Sequence, residues 1–187
     1  MTATNTLTSI PGYVAGTWSI DPVHSEVGFT VRHMMVSKVR GRFRTFSGQI
    51  VTGASPLDSS VTAEIDLSSI DTGNEQRDAH IRSADFFEVE TYPTMTYRST
   101  GVRADGDVYI LDGKLTLKGV TRDVPLALEI NGFGPDAYGG TRVGFTAIGE
   151  INRRDFGVNF TAVMETGGAV VSDKITIQLE IEAVLQS

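Results

Sequence analysis

The chain contains no cysteine, which excludes a disulfide framework, thiolate metal ligands and a cysteine nucleophile. Proline is sparse, 6 in 187 residues, and the hydrophobic share of 40% is ordinary, so neither a disordered nor a fibrous chain is described. The first twenty residues hold no Lys or Arg and no unbroken apolar run; neither a signal peptide nor a membrane span is expected, and the expected location is cytoplasmic. Phosphate loops, HExxH, GxSxG and dinucleotide fingerprints are all missing, and His24, His33 and His80 lack the close spacing of a metal-binding pair. No metal and no cofactor is expected. Positive charge is the minority sign, 16 Lys+Arg against 23 Asp+Glu for a net −7, so nucleic acid would meet a mostly repulsive field.

What is present is alternation. Ile175, Ile177, Leu179, Ile181, Ala183 and Leu185 share one face of a C-terminal segment whose other face is Lys174, Thr176, Gln178, Glu180 and Glu182. Val124–Ile130, Val143–Ile151 and Val61–Leu67 alternate in the same way. Lys118–Asp123 reads as a hairpin connection, and Phe133–Thr141, rich in Gly and Pro, as a longer loop. A single helix is expected within 72–87, where Thr72 and Glu75 have capping-box spacing and Asp78 and Arg82 stand at i,i+4. Amphipathic strands without βα alternation predict an all-β fold, an antiparallel barrel or sandwich, with closure removing exposed edges. Glycines within the strand patterns (Gly28, Gly41, Gly113, Gly149) suit the bends that closure needs. The length suits one domain over 16–187 behind a flexible leader, 1–15.

Phe29, Phe43, Phe46, Phe145, Phe156 and Phe160, with Met34, Met35, Met95 and Met164, are candidates to fill or to line the interior. Periodicity does not separate a packed core from a greasy cavity. His33 suits either a pocket mouth or an ordinary surface; His80, beside Asp78, suits either a helix surface or a general base. Lys38, Arg40, Arg42 and Arg44 alternate with Val39, Gly41 and Phe43, placing four cations on one strand face, either a solvated face or one that attracts an anionic lipid surface. Gly16-Thr17-Trp18 resembles the G-x-W that closes one end of lipocalin barrels.

Four ordered blocks then add up: TWSIDPVHSEVGFTVRHMMVSKVRGRFRTFSGQI at 17–50, IDTGNEQRDAHIRSADFFEVETYPTMTYRS at 70–99, LDGKLTLKGVTRDVPLAL at 111–128 and INRRDFGVNF at 151–160. Together they resemble the YceI-like polyisoprenoid-binding proteins from about Gly16 to Leu185. The resemblance implies an eight-stranded antiparallel lipocalin-like barrel with one short helix, holding a lipid chain inside and serving to carry or store isoprenoid quinone or a related compound. Asn152, Arg154, Asp155, Phe156 and Gly157 match the family's N-x-x-D-F-G block. That cluster either fixes the loop leaving a strand or, with Arg154, donates to the head group of an amphiphile while Phe156 touches its chain. The same two readings attach to Asp78 and Arg82 before Phe86 and Phe87.

The expected function is therefore non-enzymatic binding of a long-chain isoprenoid or similar lipid. The expected ligand-binding residues are Phe29, His33, Phe43, Phe46, Asp78, Phe86, Phe87, Phe145, Arg154 and Phe156. Membrane contact is expected to be peripheral at most, and a homodimer is an open expectation. Two other classes compete: a small enzyme acting on an apolar substrate with His33 or His80 as base, and a packed barrel serving as an interaction module.

Overall fold

Alternation gives each strand one wet and one dry face, and a series of such strands buries every dry face without leaving an edge only by closing on itself. The computed structural model, which describes residues 10–162 and 171–187, shows this closure. Its strands are β1 (Gly16–Ile20), β2 (Glu26–His33), β3 (Ser37–Phe43), β4 (Phe46–Thr52), β5 (Ser60–Asp66), β6 (Ile70–Asp71), β7 (Thr94–Asp105), β8 (Val108–Leu117), β9 (Val120–Asp123), β10 (Leu126–Pro135), β11 (Thr141–Asn152) and β12 (Val171–Leu185). One α-helix, α1 (Glu75–Arg82), lies between β6 and β7. Pairing runs β1-β4-β5-β7-β8-β10-β11-β12, and β12 returns to β1 through Trp18 opposite Leu185 and Ile20 opposite Ala183. The result is a closed eight-stranded antiparallel barrel.

The other strands lengthen this ring. β1 and β2 follow one another along the same edge of β12, β4 and β3 lie against β1 and β2, and β5 and β6 lie against β4 and β3. β9 and β10 likewise share one edge of β8. Each pair is one long strand, interrupted. β6 ends the pairing path beyond β3, and α1 with the segment after it stands beside this end of the sheet.

The opposite end is closed by aromatics. Trp18 is wholly buried; its indole Nε1–H donates to Thr52 Oγ1 at 2.8 Å, and that hydroxyl donates to the Val14 carbonyl at 2.7 Å. Phe133 meets Trp18 and Tyr13 edge-on at 5.5 and 5.3 Å. The Tyr13 hydroxyl donates to the Gly53 carbonyl at 2.7 Å, tying residues just ahead of β1 to the barrel.

Several local expectations change. Phe133–Pro135 is strand, because a register shift between Ile130 and Gly132 re-aims β10 and lets Phe133 pack on Trp18. The Lys118–Asp123 connection is a turn at Lys118-Gly119, both at positive φ, followed by β9. Helix α1 is capped by Asn74, whose side chain accepts the Arg77 N–H at 2.9 Å, rather than by Thr72 with Glu75. Arg82 pairs with Glu75 at 2.7 Å, not with Asp78. Asp78 is buried and accepts from the Thr72 backbone N–H at 3.0 Å. The strand glycines act mainly as seats for neighbours: a Cβ at Gly113 would come within 2.4 Å of the Tyr97 ring, and one at Gly41 within 2.3 Å of Phe29.

Candidate functional site

The inward residues do not fill the barrel. At the α1 end lies a cavity of about 700 Å³, within the ~300–1,000 Å³ range of small-molecule sites. Alternation builds its walls: Val27, Phe29 and Val31 from β2, Leu115 and Leu117 from β8, and Ile175, Ile177 and Leu179 from β12. Ile81, Phe86 and Phe87, from α1 and the segment behind it, complete the wall beside β6. Thr72, Asn74, Gln76, Arg77 and His80 line the cavity on the α1 side, with Asn74, Gln76 and His80 exposed to solvent, and Arg32 and His33 line it from β2.

The floor is Tyr97 with Leu126 and Leu179, which also line a second void of about 120 Å³ on the Trp18 side. The Tyr97 hydroxyl donates to the Val124 carbonyl at 2.8 Å, and burial pushes its phenol well above the usual range. A fixed, hydrogen-bonded ring thus divides the interior into two chambers.

Arginines hold the open end. Arg153 is buried, and its guanidinium donates to the carbonyls of Ser172 (3.1 Å), Val158 (2.8 Å) and Phe160 (2.6 Å), with the Asp173 carboxylate 3.2 Å away. Burial lowers its pKa from the usual arginine range. Though it lines the cavity, this side chain is committed to the loop it clamps. Arg77 differs: it is half-buried, its Nε–H donates to Thr72 Oγ1 at 2.7 Å and its Nη2 to the Thr72 carbonyl at 2.6 Å. Among the described residues no carboxylate lies within 4.0 Å of it, and it lines the cavity.

Of the residues singled out in the sequence, Phe29, His33, Phe43, Phe86 and Phe87 come together on the cavity wall, as do Met95 and Phe160. Phe145 lines the small void instead. Phe46 packs on the core from a separate surface recess shared with Arg42 and Arg44. Phe156 is buried in the core, and Asp78 serves the turn before α1. Arg154 is exposed and pairs with Asp173 at 2.9 Å, away from the cavity lining. Met34 and Met35 point into solvent at the β2–β3 turn, while Met164 lies outside the described residues.

The NRRDFG cluster is a cap. Asn152 accepts the Arg154 N–H at 2.9 Å, residues Arg153–Phe156 form one 3₁₀ turn, and Gly157 ends it at φ 72°. Arg153 was legible as inward-facing, since it keeps phase with Ile151. Arg77 and Ile81 stand at i,i+4 and both line the cavity, a spacing that could have found Arg77.

The histidines lie apart. His80 Nε2 is 2.8 Å from Asp85 Oδ2, with its ring edge-on to Phe86 and Phe160 at 5.1 and 4.9 Å. At the opposite end, Asp21, His24 and Glu182 lie close enough to share an ion, but Arg142 Nη1 already donates to Asp21 (2.7 Å) and Glu182 (2.9 Å).

Comparison with known proteins points one way. A UPF0312 protein of Photorhabdus laumondii is 38% identical over 165 residues, 87% of this chain and 85% of that protein. The crystal structure of Burkholderia cenocepacia BcnA superposes with a TM-score of 0.75 at 25% identity, covering 87% of this chain and 98% of that one. A polyisoprenoid-binding domain from Saccharophagus degradans, implicated in plant cell wall breakdown, shares the fold at a TM-score of 0.69 and 19% identity, covering 92% of this chain and all of that domain. The family model for the YceI-like domain matches residues 18–183, and with this barrel, this helix and this match the chain belongs to the YceI-like domain family.

Proposed function

We propose that this protein binds a long-chain isoprenoid or similar amphiphilic lipid and carries or stores it, without acting as an enzyme on it. The observation that supports this reading is the cavity of about 700 Å³, whose lining is mostly apolar, with a few polar side chains from β2, the α1 region and Arg153. An isoprenoid tail offers almost nothing but apolar surface, so burial is the interaction available to it. In this reading Arg77, which lines the cavity, donates to a head-group oxygen. That a polyisoprenoid-binding domain shares the fold agrees with this assignment.

Size sets a limit. At roughly 30 Å³ per water-sized group, the larger chamber takes about twenty carbons, four or five isoprene units; a longer tail extends past the mouth or displaces Tyr97. Affinity stays moderate, near the ~0.3 kcal/mol per heavy atom of larger ligands, because the chain loses freedom and a bilayer is an equally good solvent. A quinone-type head group would suit such exchange.

Solvent extraction of the purified protein followed by mass spectrometry tests the proposal. A prenyl lipid in near-stoichiometric amount is expected; protein that is empty and takes up no prenyl lipid on titration would overturn it. His80 beside Asp85 at the cavity rim gives the enzymatic alternative one specific support. Prenyl lipid recovered chemically unaltered after incubation counts against that alternative, whereas conversion abolished by His80→Asn would favour it.

A further inference from the structure

The turn joining β2 to β3 is built against its own stability. Val36 N–H donates to the His33 carbonyl at 3.2 Å, and the two residues between, Met34 and Met35, both have positive φ, 51° and 60°. This is the left-handed turn for which Asn-Gly is the favoured pair and which unbranched apolar residues seldom adopt. The same residues are exposed: Met34 is 41%, Met35 59% and Val36 85% accessible. Three consecutive apolar residues are therefore held out into water on a strained tip, and backbone strain retained at one place points to a use.

Charge around the tip narrows the partner. Arg32 stands opposite Lys38, with Arg40 two residues further along β3, and all three are exposed. Among the described residues none of them has a carboxylate within 4.0 Å, whereas Arg42 and Arg44 both face Asp71. A protein of net charge −7 thus gathers unpaired cations immediately behind an apolar tip. An apolar tip with a cationic collar is complementary to an anionic bilayer, the tip entering the acyl boundary and the collar meeting the head groups.

The position matters as much as the composition. His33 and Val39, which flank the tip, line the large cavity. We infer that the Met34-Met35-Val36 turn and the Arg32/Lys38/Arg40 collar dock this protein on an anionic membrane surface with the cavity mouth against the bilayer. A tail then passes between bilayer and cavity without crossing water. The purpose of this docking rests on the lipid-carrying reading; its test does not.

Co-sedimentation with phosphatidylcholine vesicles, with and without phosphatidylserine, measures it. Wild type is expected to bind the anionic vesicles and to be released by salt. Arg32→Gln, Lys38→Gln and Arg40→Gln together should weaken binding about a hundredfold, at roughly fivefold per cation. Met34→Asn, Met35→Gly and Val36→Thr together relax the turn, so this variant folds at least as well, yet should bind at least about tenfold more weakly. With no native cysteine, Val36→Cys takes one polarity-sensitive dye, whose emission should shift to the blue on anionic vesicles. Equal partitioning of wild type and both variants, or an unmoved dye, would overturn the proposal. So would a dimer that the Met34→Asn, Met35→Gly, Val36→Thr variant dissociates while vesicle binding stays the same, which would assign the tip to a second copy of the chain. A protein that holds prenyl lipid but ignores vesicles refutes the docking alone; one that binds vesicles but never takes up prenyl lipid refutes the lipid reading alone.

Discussion

The two ends of the barrel are made by the same alternation and come out opposite. At the Trp18 end, β1 pairs with both β4 and β12, and Trp18, Tyr13 and Phe133 leave a void of only about 120 Å³. At the α1 end the strands extend past the ring, the wall is completed by a helix, and about 700 Å³ stays open. Each end has its arginine. Arg142 meets the carboxylates of Asp21, Asp136 and Glu182, while Arg153, buried, meets mainly backbone carbonyls. Packing makes the first end a stable base, and its absence at the second leaves room for a guest.

Four measurements would break or sharpen that contrast. The largest effect is expected at the closed end: Trp18→Ala should cost about 3–5 kcal/mol in denaturant unfolding, through the lost aromatic volume and the orphaned Thr52 partner. A loss under ~1 kcal/mol would mean that this end is not the packed one. Arg153→Met should cost about 2–3 kcal/mol, because several carbonyls lose their donor, and the loop from 157 to 162 should become more susceptible to protease.

Filling the open end should separate stability from binding. Ile177→Trp projects into empty space, so the unfolding free energy should move by less than ~1 kcal/mol, whereas overpacking a dense core costs ~1–3. Prenyl-lipid uptake should fall at least about tenfold.

The smallest effect is a pH dependence. Hydrogen bonds from Arg142 and then His24 hold the Asp21 carboxyl well below the usual range. A depressed carboxylate lends stability that is complete above its unfolded value, roughly 4, and is lost as pH falls toward its folded value. Asp21→Asn should therefore destabilise by about 1 kcal/mol near neutrality, and the difference from wild type should shrink below pH ~4. A constant difference across that range would separate Asp21 from the acid response.

Much of this was readable in the chain. The inward set on β12 follows directly from period-two alternation, as do Ile65, Leu126 and Phe145. Trp18 closes an end, as its G-x-W setting suggested. Legibility ran out where the backbone leaves regular alternation. Phe133 changed from loop to wall because a bulge at Gly132 turned it inward. Met34 and Met35 continue the residues of β2 in sequence but sit in a turn, so their apolar character went outward. Phe156 followed its 3₁₀ turn into the core and Arg154 followed it into solvent, and neither direction is set by composition.

The dry face of each regular strand was determined by the sequence itself, because a period of two leaves a strand only one way to bury its apolar side; that the strands close into a barrel rather than stack as a sandwich was implied by the family resemblance and is seen in the pairing of β12 with β1. Whether that dry interior would be solid or hollow was decided only in three dimensions. Empty volume depends on how far apart opposing walls stand, on a helix standing in for a missing strand, and on one tyrosine hydroxyl reaching the Val124 carbonyl to set the floor. Those are distances between residues far apart in the chain, and no local pattern carries them.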